Sequence, residues 1–163
     1  MVGRPCIMPQ KGIKDLLEDY ESIRERTIEF LKKVPEEKWT WRPHALLGSF
    51  GMQVRHICTS QQSYIEGIKK GKIDFSQKGF DKEIEINKEK AIKRLKELDK
   101  ELFDLIGSVK DSNKKIIFVD GVSGTSEETL TNIINYMIEH EFYHQGVFTC
   151  YGRLADMGKF LFM

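Results

Sequence analysis

Residues 129–154 read TLTNIINYMIEHEFYHQGVFTCYGRL, and the spacing of their apolar side chains decides the fold class. Leu130, Ile133, Ile134, Met137, Phe148 and Tyr151 fall at helical intervals and form one stripe along a helix. Just upstream, the spacing of Thr125 to Glu128 fits a capping box, so the helix is expected over about 126–152, with Gly152 loosening its end.

Three more segments of the same kind lie outward from this one. Ile92, Leu95, Leu98, Leu102, Leu105, Ile106 and Val109 give the cleanest periodicity in the chain and predict a helix over about 82–109. Ser49 is a suitable N-cap for a helix over about 49–70, one face of which carries Phe50, Val54, Ile57, Cys58, Gln61, Tyr64, Ile65 and Ile68. Ile13, Leu16, Leu17, Tyr20, Ile23, Phe30, Leu31 and Val34 predict a helix over about 13–34, stopped by Pro35. Each segment has 20 or so residues, or roughly 30 Å of helix. Four matched lengths point to an all-α, up-down four-helix bundle forming a single domain over residues 1–163. The β-prone run Ile116–Val119 predicts a short strand between the third and fourth long helices.

Composition narrows the function classes. The 163 residues include 26 Lys+Arg and 25 Asp+Glu, a net charge of +1, with 40% hydrophobic residues. That balance argues against a nucleic-acid partner, since phosphate-backbone binders carry a basic excess. No apolar run approaches the ~20 residues that cross a bilayer, and the opening MVGRPCIMPQK lacks the apolar centre of a signal peptide. A cytoplasmic protein with no membrane partner is expected. Cys6, Cys58 and Cys150 form no C-x-x-C pair and read as buried or idle thiols in a reducing compartment.

The chemistry lies in the histidines. His140 and His144 sit one turn apart, so their rings share a face and can reach one ion at the ~2.0–2.1 Å of a zinc–nitrogen bond. Both fall in the sector of Met137 and Phe148, toward the core. Buried imidazoles need partners, and either a metal or hydrogen bonds to a core Tyr or backbone carbonyl would supply them. His56 lies on a third sector of its helix with Ser49, Met52, Gln53, Ser60, Ser63 and Gly67, small polar residues that fit either a cleft wall or a solvated face. His44 follows Pro43 in a loop and reads as a surface residue.

Glu141 completes H-E-F-Y-H, a literal match to the zincin H-E-x-x-H. Neither a downstream third ligand nor the zincin sheet is present, which argues against a metalloprotease. Glu141 and His144 also fit the Glu-x-x-His of di-iron bundles, but Gln53 stands where the second such pair would need Glu before His56.

Two stretches, VPEEKWTWRP at 34–43 followed by SFGMQVRHICTSQQSYIEGI from Ser49, and residues 129–154, resemble the DinB/YfiT-like family of metal-binding four-helix bundles. The resemblance runs from about Ile13 to Leu154. It implies a bundle with one long crossover, a three-histidine metal site in which His56 meets His140 and His144, and a homodimer. Members resemble thiol-dependent S-transferases, an isomerase or hydrolases.

On that basis the expected cofactor is a divalent transition metal, zinc or nickel rather than magnesium because imidazole is a borderline-soft ligand. The expected function is a metal-dependent thiol S-transferase or hydrolase acting on a small-molecule substrate through an open coordination position. A low-molecular-weight thiol would then be a second cofactor, with Arg42, Arg55 and Arg153 the arginines near the motifs. Glu141 is either a general base or a structural hydrogen-bonding group. The opening is expected to be walled by Ser49, Gln53, Ser60 and Ser63. The alternative is a non-catalytic, metal-stabilised dimeric module, with the apolar terminus Phe160–Met163 covering either a partner or its own bundle.

Overall fold

Each long amphipathic segment has one apolar face and cannot bury it alone, so the four collapse together. A computed structural model describes residues 12–75, 81–109, 114–120 and 124–158. Its elements in chain order are α1 (Ile13–Lys33), α2 (Glu36–Trp39), α3 (Phe50–Lys70), β1 (Lys72–Asp74), α4 (Lys82–Ile86), α5 (Lys88–Ser108), β2 (Lys115–Asp120), β3 (Gly124–Thr129) and α6 (Leu130–Leu154). The long helices α1, α3, α5 and α6 make a bundle in which α1 packs on α5 and α6, and α3 packs on the same two. Among the described residues no helix is long and apolar enough to cross a membrane. Cys6 and the Phe160–Met163 run lie outside the described residues.

Side-chain pairs set the helix directions. Arg24 meets Glu141 and Thr27 meets Gln145, which makes α1 parallel to α6. Gln62 meets Arg94 and Lys69 meets Glu101, which makes α3 parallel to α5. Gln53 meets Tyr151 and Tyr64 shares an aromatic cluster with Tyr136, so α3 and α6 are antiparallel. The chain therefore runs up, down, down, up, and the parallel α3 and α5 are related by one long crossover.

Ser49 caps α3 as its sequence suggests, accepting from the Met52 N–H, and Gly71 closes the helix at φ 78°. Two boundaries differ from expectation. The segment expected as one helix over 82–109 breaks at Asn87, which ends α4 and caps α5 by accepting from the Lys90 N–H at 2.8 Å. A residue able to cap outward can also interrupt a helix, because its side chain competes for the same backbone donors.

The expected start of the last helix near 126 is also corrected. Residues 124–129 form β3, antiparallel to β2, with Val119 opposite Thr125 and Lys115 opposite Thr129. The cap is Thr129, which accepts from the Asn132 N–H at 3.2 Å. A six-residue ladder outweighs a local capping box worth about 1 kcal/mol. Gly152 stays inside α6, buried where Phe30 crosses it.

The expected strand is thus the centre of a three-stranded sheet, ordered β1-β2-β3, with β1 parallel to β2. The sheet joins the C-terminal end of α3 to the N-terminal end of α6. Phe118 of β2 lies among Tyr64, Phe75 and Tyr136, and Ile73 of β1 is fully buried against Gly67 of α3.

The other close approach is at Gly51, where a Cβ would lie 2.0 Å from the Glu85 carbonyl oxygen and 2.7 Å from Trp39 Nε1. Trp39 Nε1 also donates to the Ile84 carbonyl, so α4 is docked on α3 through a backbone that cannot retreat cheaply. Gly51→Ala is expected to cost about 1–3 kcal/mol of stability through overpacking. Gly107, on α5 with open space around its Cβ position, is the control. Gly107→Ala should stabilise by about 0.5–1 kcal/mol. Urea unfolding of the two variants checks both signs, and equal shifts would show that the close approach at Gly51 does not exist.

Candidate metal centre

The antiparallel pairing of α3 and α6 brings His56, His140 and His144 to one point. His140 Nε2 lies 3.1 Å from His56 Nε2 and 3.1 Å from His144 Nε2. The cluster grades from His144, buried on the core side, through half-buried His140 to exposed His56. It is therefore open to solvent on the α3 side. Among the described residues no Cys, Asp or Glu joins these three ligand atoms.

The donor set poses a chemical problem. A ring nitrogen has one in-plane site, holding either a proton or a lone pair. His140 Nε2 can thus make one good hydrogen bond, yet it faces two nitrogens at 3.1 Å. A cation at the centre resolves this for all three rings. Two nitrogen ligands of a tetrahedral zinc ion at ~2.0–2.1 Å are about 3.3 Å apart, close to the spacing observed here. The three histidines fit a metal, and hydrogen bonding between their rings does not satisfy them.

The electrostatics agree. Burial pushes the His144 pKa from 6.5 down to about 3, with help from His140, His56 and Arg24. Burial, then His56 and Arg24, brings His140 to about 4, and His56 is lowered by burial and Arg55. All three rings are neutral at pH 7, the form in which imidazole binds metal.

Glu141, the candidate base, points elsewhere. Its side chain is 1% exposed and its Oε2 lies 3.3 Å from Arg24 Nη2. Burial raises its pKa and Arg24 opposes the rise. It is a buried structural partner of Arg24, and not a base aimed at the open side of the cluster. Around it lies a polar network that sequence reading missed. Arg24 of α1 also donates to Tyr20 Oη at 2.5 Å and to Gln61 Oε1 of α3 at 3.1 Å, while its Nε stands 3.4 Å from Asp99 of α5. The available signal was three charged residues, Arg24, Asp99 and Glu141, inside otherwise apolar helical sectors.

His44 stays in its loop, its Nδ1 accepting from the Leu46 N–H. Arg42 is spent on the carbonyls of Ala45 and Leu47, and Arg55 pairs with Glu85 at 2.6 Å. Arg153 is exposed on the last turn of α6. Of the expected wall, Ser49 and Ser60 are buried, whereas Gln53 and Ser63 are half-buried. A groove of about 510 Å³ follows this helix face from Thr59 through Ser63 and Gly67 to Lys70, with Lys72 and Asp74 across from it. Cys58 is buried, its thiol pushed up to about 12 chiefly by desolvation, while Cys150 is exposed on α6.

Comparison with known proteins agrees with this architecture. YfiT from Bacillus subtilis, described as a probable metal-dependent hydrolase with an unusual four-helix bundle topology, superposes with a TM-score of 0.70 at 13% identity, covering 96% of this chain and 94% of that one. A DinB-like protein from Bacillus cereus gives 0.69 at 17% identity, covering 91% and 95%. The DinB-like protein YjoA from Bacillus subtilis gives 0.63 at 18% identity, covering 87% and 92%. At these identities the likeness is one of fold. No curated protein matches the chain. The family model of the DinB superfamily matches residues 19–148, and with the bundle and its histidines in view, the chain belongs to the DinB superfamily.

Proposed function

We propose that the chain is a metal-dependent hydrolase whose divalent ion, zinc or nickel, is held by Nε2 of His56, His140 and His144. The observation that carries this is the position of His140 Nε2, 3.1 Å from two other ring nitrogens with one in-plane site to offer. The description of YfiT as a probable metal-dependent hydrolase supports the same reading. An ion with three neutral protein ligands and an open position supplies Lewis acidity suited to hydrolysis.

The chain's own residues define the rest. Exposed His56 sets the open side, and the groove that begins at Thr59, one turn along α3, supports a polar small-molecule substrate. Glu141 orients α6 through Arg24 rather than moving a proton. Thiol transfer would use the same open position, but Arg42 and Arg55, two of the arginines it would draw on, are engaged by backbone carbonyls and by Glu85.

Titration of the chelator-treated protein with zinc and nickel should give one ion per chain. His56→Ala, His140→Ala and His144→Ala should each lower affinity by orders of magnitude, with His44→Ala unchanged. Ion at a hundred times Kd should add about 2.7 kcal/mol of stability to the parent and little to the variants. A panel of ester, amide and lactam substrates, assayed with and without chelator, tests the hydrolytic reading. Turnover that survives chelation, or appears only with added thiol, would overturn it.

The metal-free protein should lose stability as pH falls. His140 and His144 titrate near 6.5 when unfolded but near 4 and 3 when folded, so below 6.5 the unfolded chain binds more protons. Their contribution is present above pH 6.5 and drains away on acidification toward pH 4. The raised pKa values of Asp99 and Glu141 act in the opposite sense, stabilising at low pH and losing effect as pH rises through them. The histidine part is therefore read as the difference between the parent and His144→Leu, whose pH slope in this window should be shallower.

A further inference from the structure

The groove along α3 has opposite hydrogen-bonding character at its two ends. Ser63, Gly67 and Lys70 stand seven, eleven and fourteen residues beyond His56, so all four share one face of the helix. At the near end Thr59 Oγ1 donates to the Arg55 carbonyl at 2.9 Å and Ser63 Oγ to the Thr59 carbonyl at 3.1 Å. A hydroxyl has one proton to give. With that proton spent on the helix, each presents lone pairs, which accept N–H donors.

The far end is built by close packing. Ile73 of β1 lies so near Gly67 that a Cβ there would sit 2.2 Å from Ile73 Cγ1, and β1 brings Lys72 and Asp74 to the groove that Lys70 also lines. Both oxygens of Glu66 are engaged, Oε1 by Gln62 at 3.1 Å and Oε2 by Lys70 at 3.3 Å. An ammonium has three donors, so among the described residues Lys70 keeps two. Lys72 stands 3.8 Å from Asp74, too long for a hydrogen bond, and Asp74 makes a further interaction of its own. The far end therefore presents N–H donors carrying positive charge.

We propose that this groove binds a short, extended peptide-like chain, with amide N–H groups on Thr59 and Ser63 and a terminal carboxylate between Lys70 and Lys72. The inference deepens the hydrolase reading and rests on it for the place of the reacting bond, beside His56. From Thr59 to Lys70 the helix rises ~16 Å, the span of about five extended residues at ~3.3 Å each. The groove thus takes the leaving side of an amide substrate. The oxygen of water bonds to the carbonyl carbon, and the C–N bond breaks with its electron pair going to nitrogen. Both protons of the water end on the released amine, which leaves a carboxylate on the other fragment and requires no further reactant.

The test begins on the chelator-treated parent, so that it does not depend on turnover. N-acetyl-tetra-alanine with a free carboxylate, at millimolar concentration, should shift the amide resonances of Thr59, Ser63, Lys70 and Lys72. The same peptide with an amidated end should bind about tenfold more weakly. Lys70 and Lys72 are exposed, so their replacement spares the fold. Lys70→Gln combined with Lys72→Gln should erase the preference for the acid and leave zinc affinity unchanged. Ser63→Leu, which fills the near end, should weaken both peptides. In the zinc-loaded protein the double lysine variant should raise KM for a longer acid-ended alanine peptide by about tenfold with kcat nearly unchanged.

Equal affinity for acid and amide, shifts confined to residues outside the groove, or no shift at all would overturn the proposal, whatever the protein hydrolyses. Acid-selective binding in the groove, with no hydrolysis of any substrate by the zinc-loaded protein, would overturn the hydrolase reading alone and leave the peptide site standing.

Discussion

A guanidinium buried among four helices is the constraint on which this structure turns. Arg24 is 3% exposed and reaches α3 through Gln61, α5 through Asp99 and α6 through Glu141, with Tyr20 of its own helix completing the set. Apolar contacts tolerate rotation of a helix by a fraction of a turn, because a leucine displaced slightly still touches other carbon atoms. A buried cation does not, since it has to stay within reach of partners placed on separate helices, and breaking a buried ion pair costs about 3–5 kcal/mol. Burial works against the charge on Arg24, but Glu141, Tyr20 and Asp99 outweigh it.

The consequence for the site is geometric. Glu141 and His140 are adjacent in sequence, so their side chains diverge by ~100° around α6. Once Glu141 is held by Arg24, the rotation of α6 about its axis is set, and His140 and His144 face α3 rather than α5. Gln145 adds a second tether, donating to the Ile23 carbonyl and to Thr27 of α1. The sheet fixes the remaining freedom, the slide of α6 along α3, by pairing the strand that follows α3 with β2, whose hairpin partner leads into α6. Rotation and slide together deliver three ring nitrogens to one point.

The buried network explains why H-E-F-Y-H misleads as a motif. In a zincin helix the glutamate shares the metal's side and acts on a reacting group. Here the same letters place Glu141 toward α1, where it serves the packing of the bundle. Identical spacing carries two chemistries, and the neighbours across the helix interface select between them.

The sequence by itself determined the four helices, since periodicity of apolar residues is a local property that survives in any packing. It also determined that His140 and His144 share a face, because i and i+4 do so in every α-helix, and Ser49 announced its cap. It did not determine the break at Asn87 or the start of α6 at Leu130, where a cap residue and a β-ladder with Lys115–Asp120 compete with helix extension. Nor do spacing and periodicity join His56 to the other two, 84 residues away from His140, a meeting that only the family resemblance implied. That meeting depends on α3 and α6 lying antiparallel, and the core charges that lock them come from α1 and α5. Only the tertiary structure decides it, because the energy of burying Arg24 is set by partners from all four helices at once.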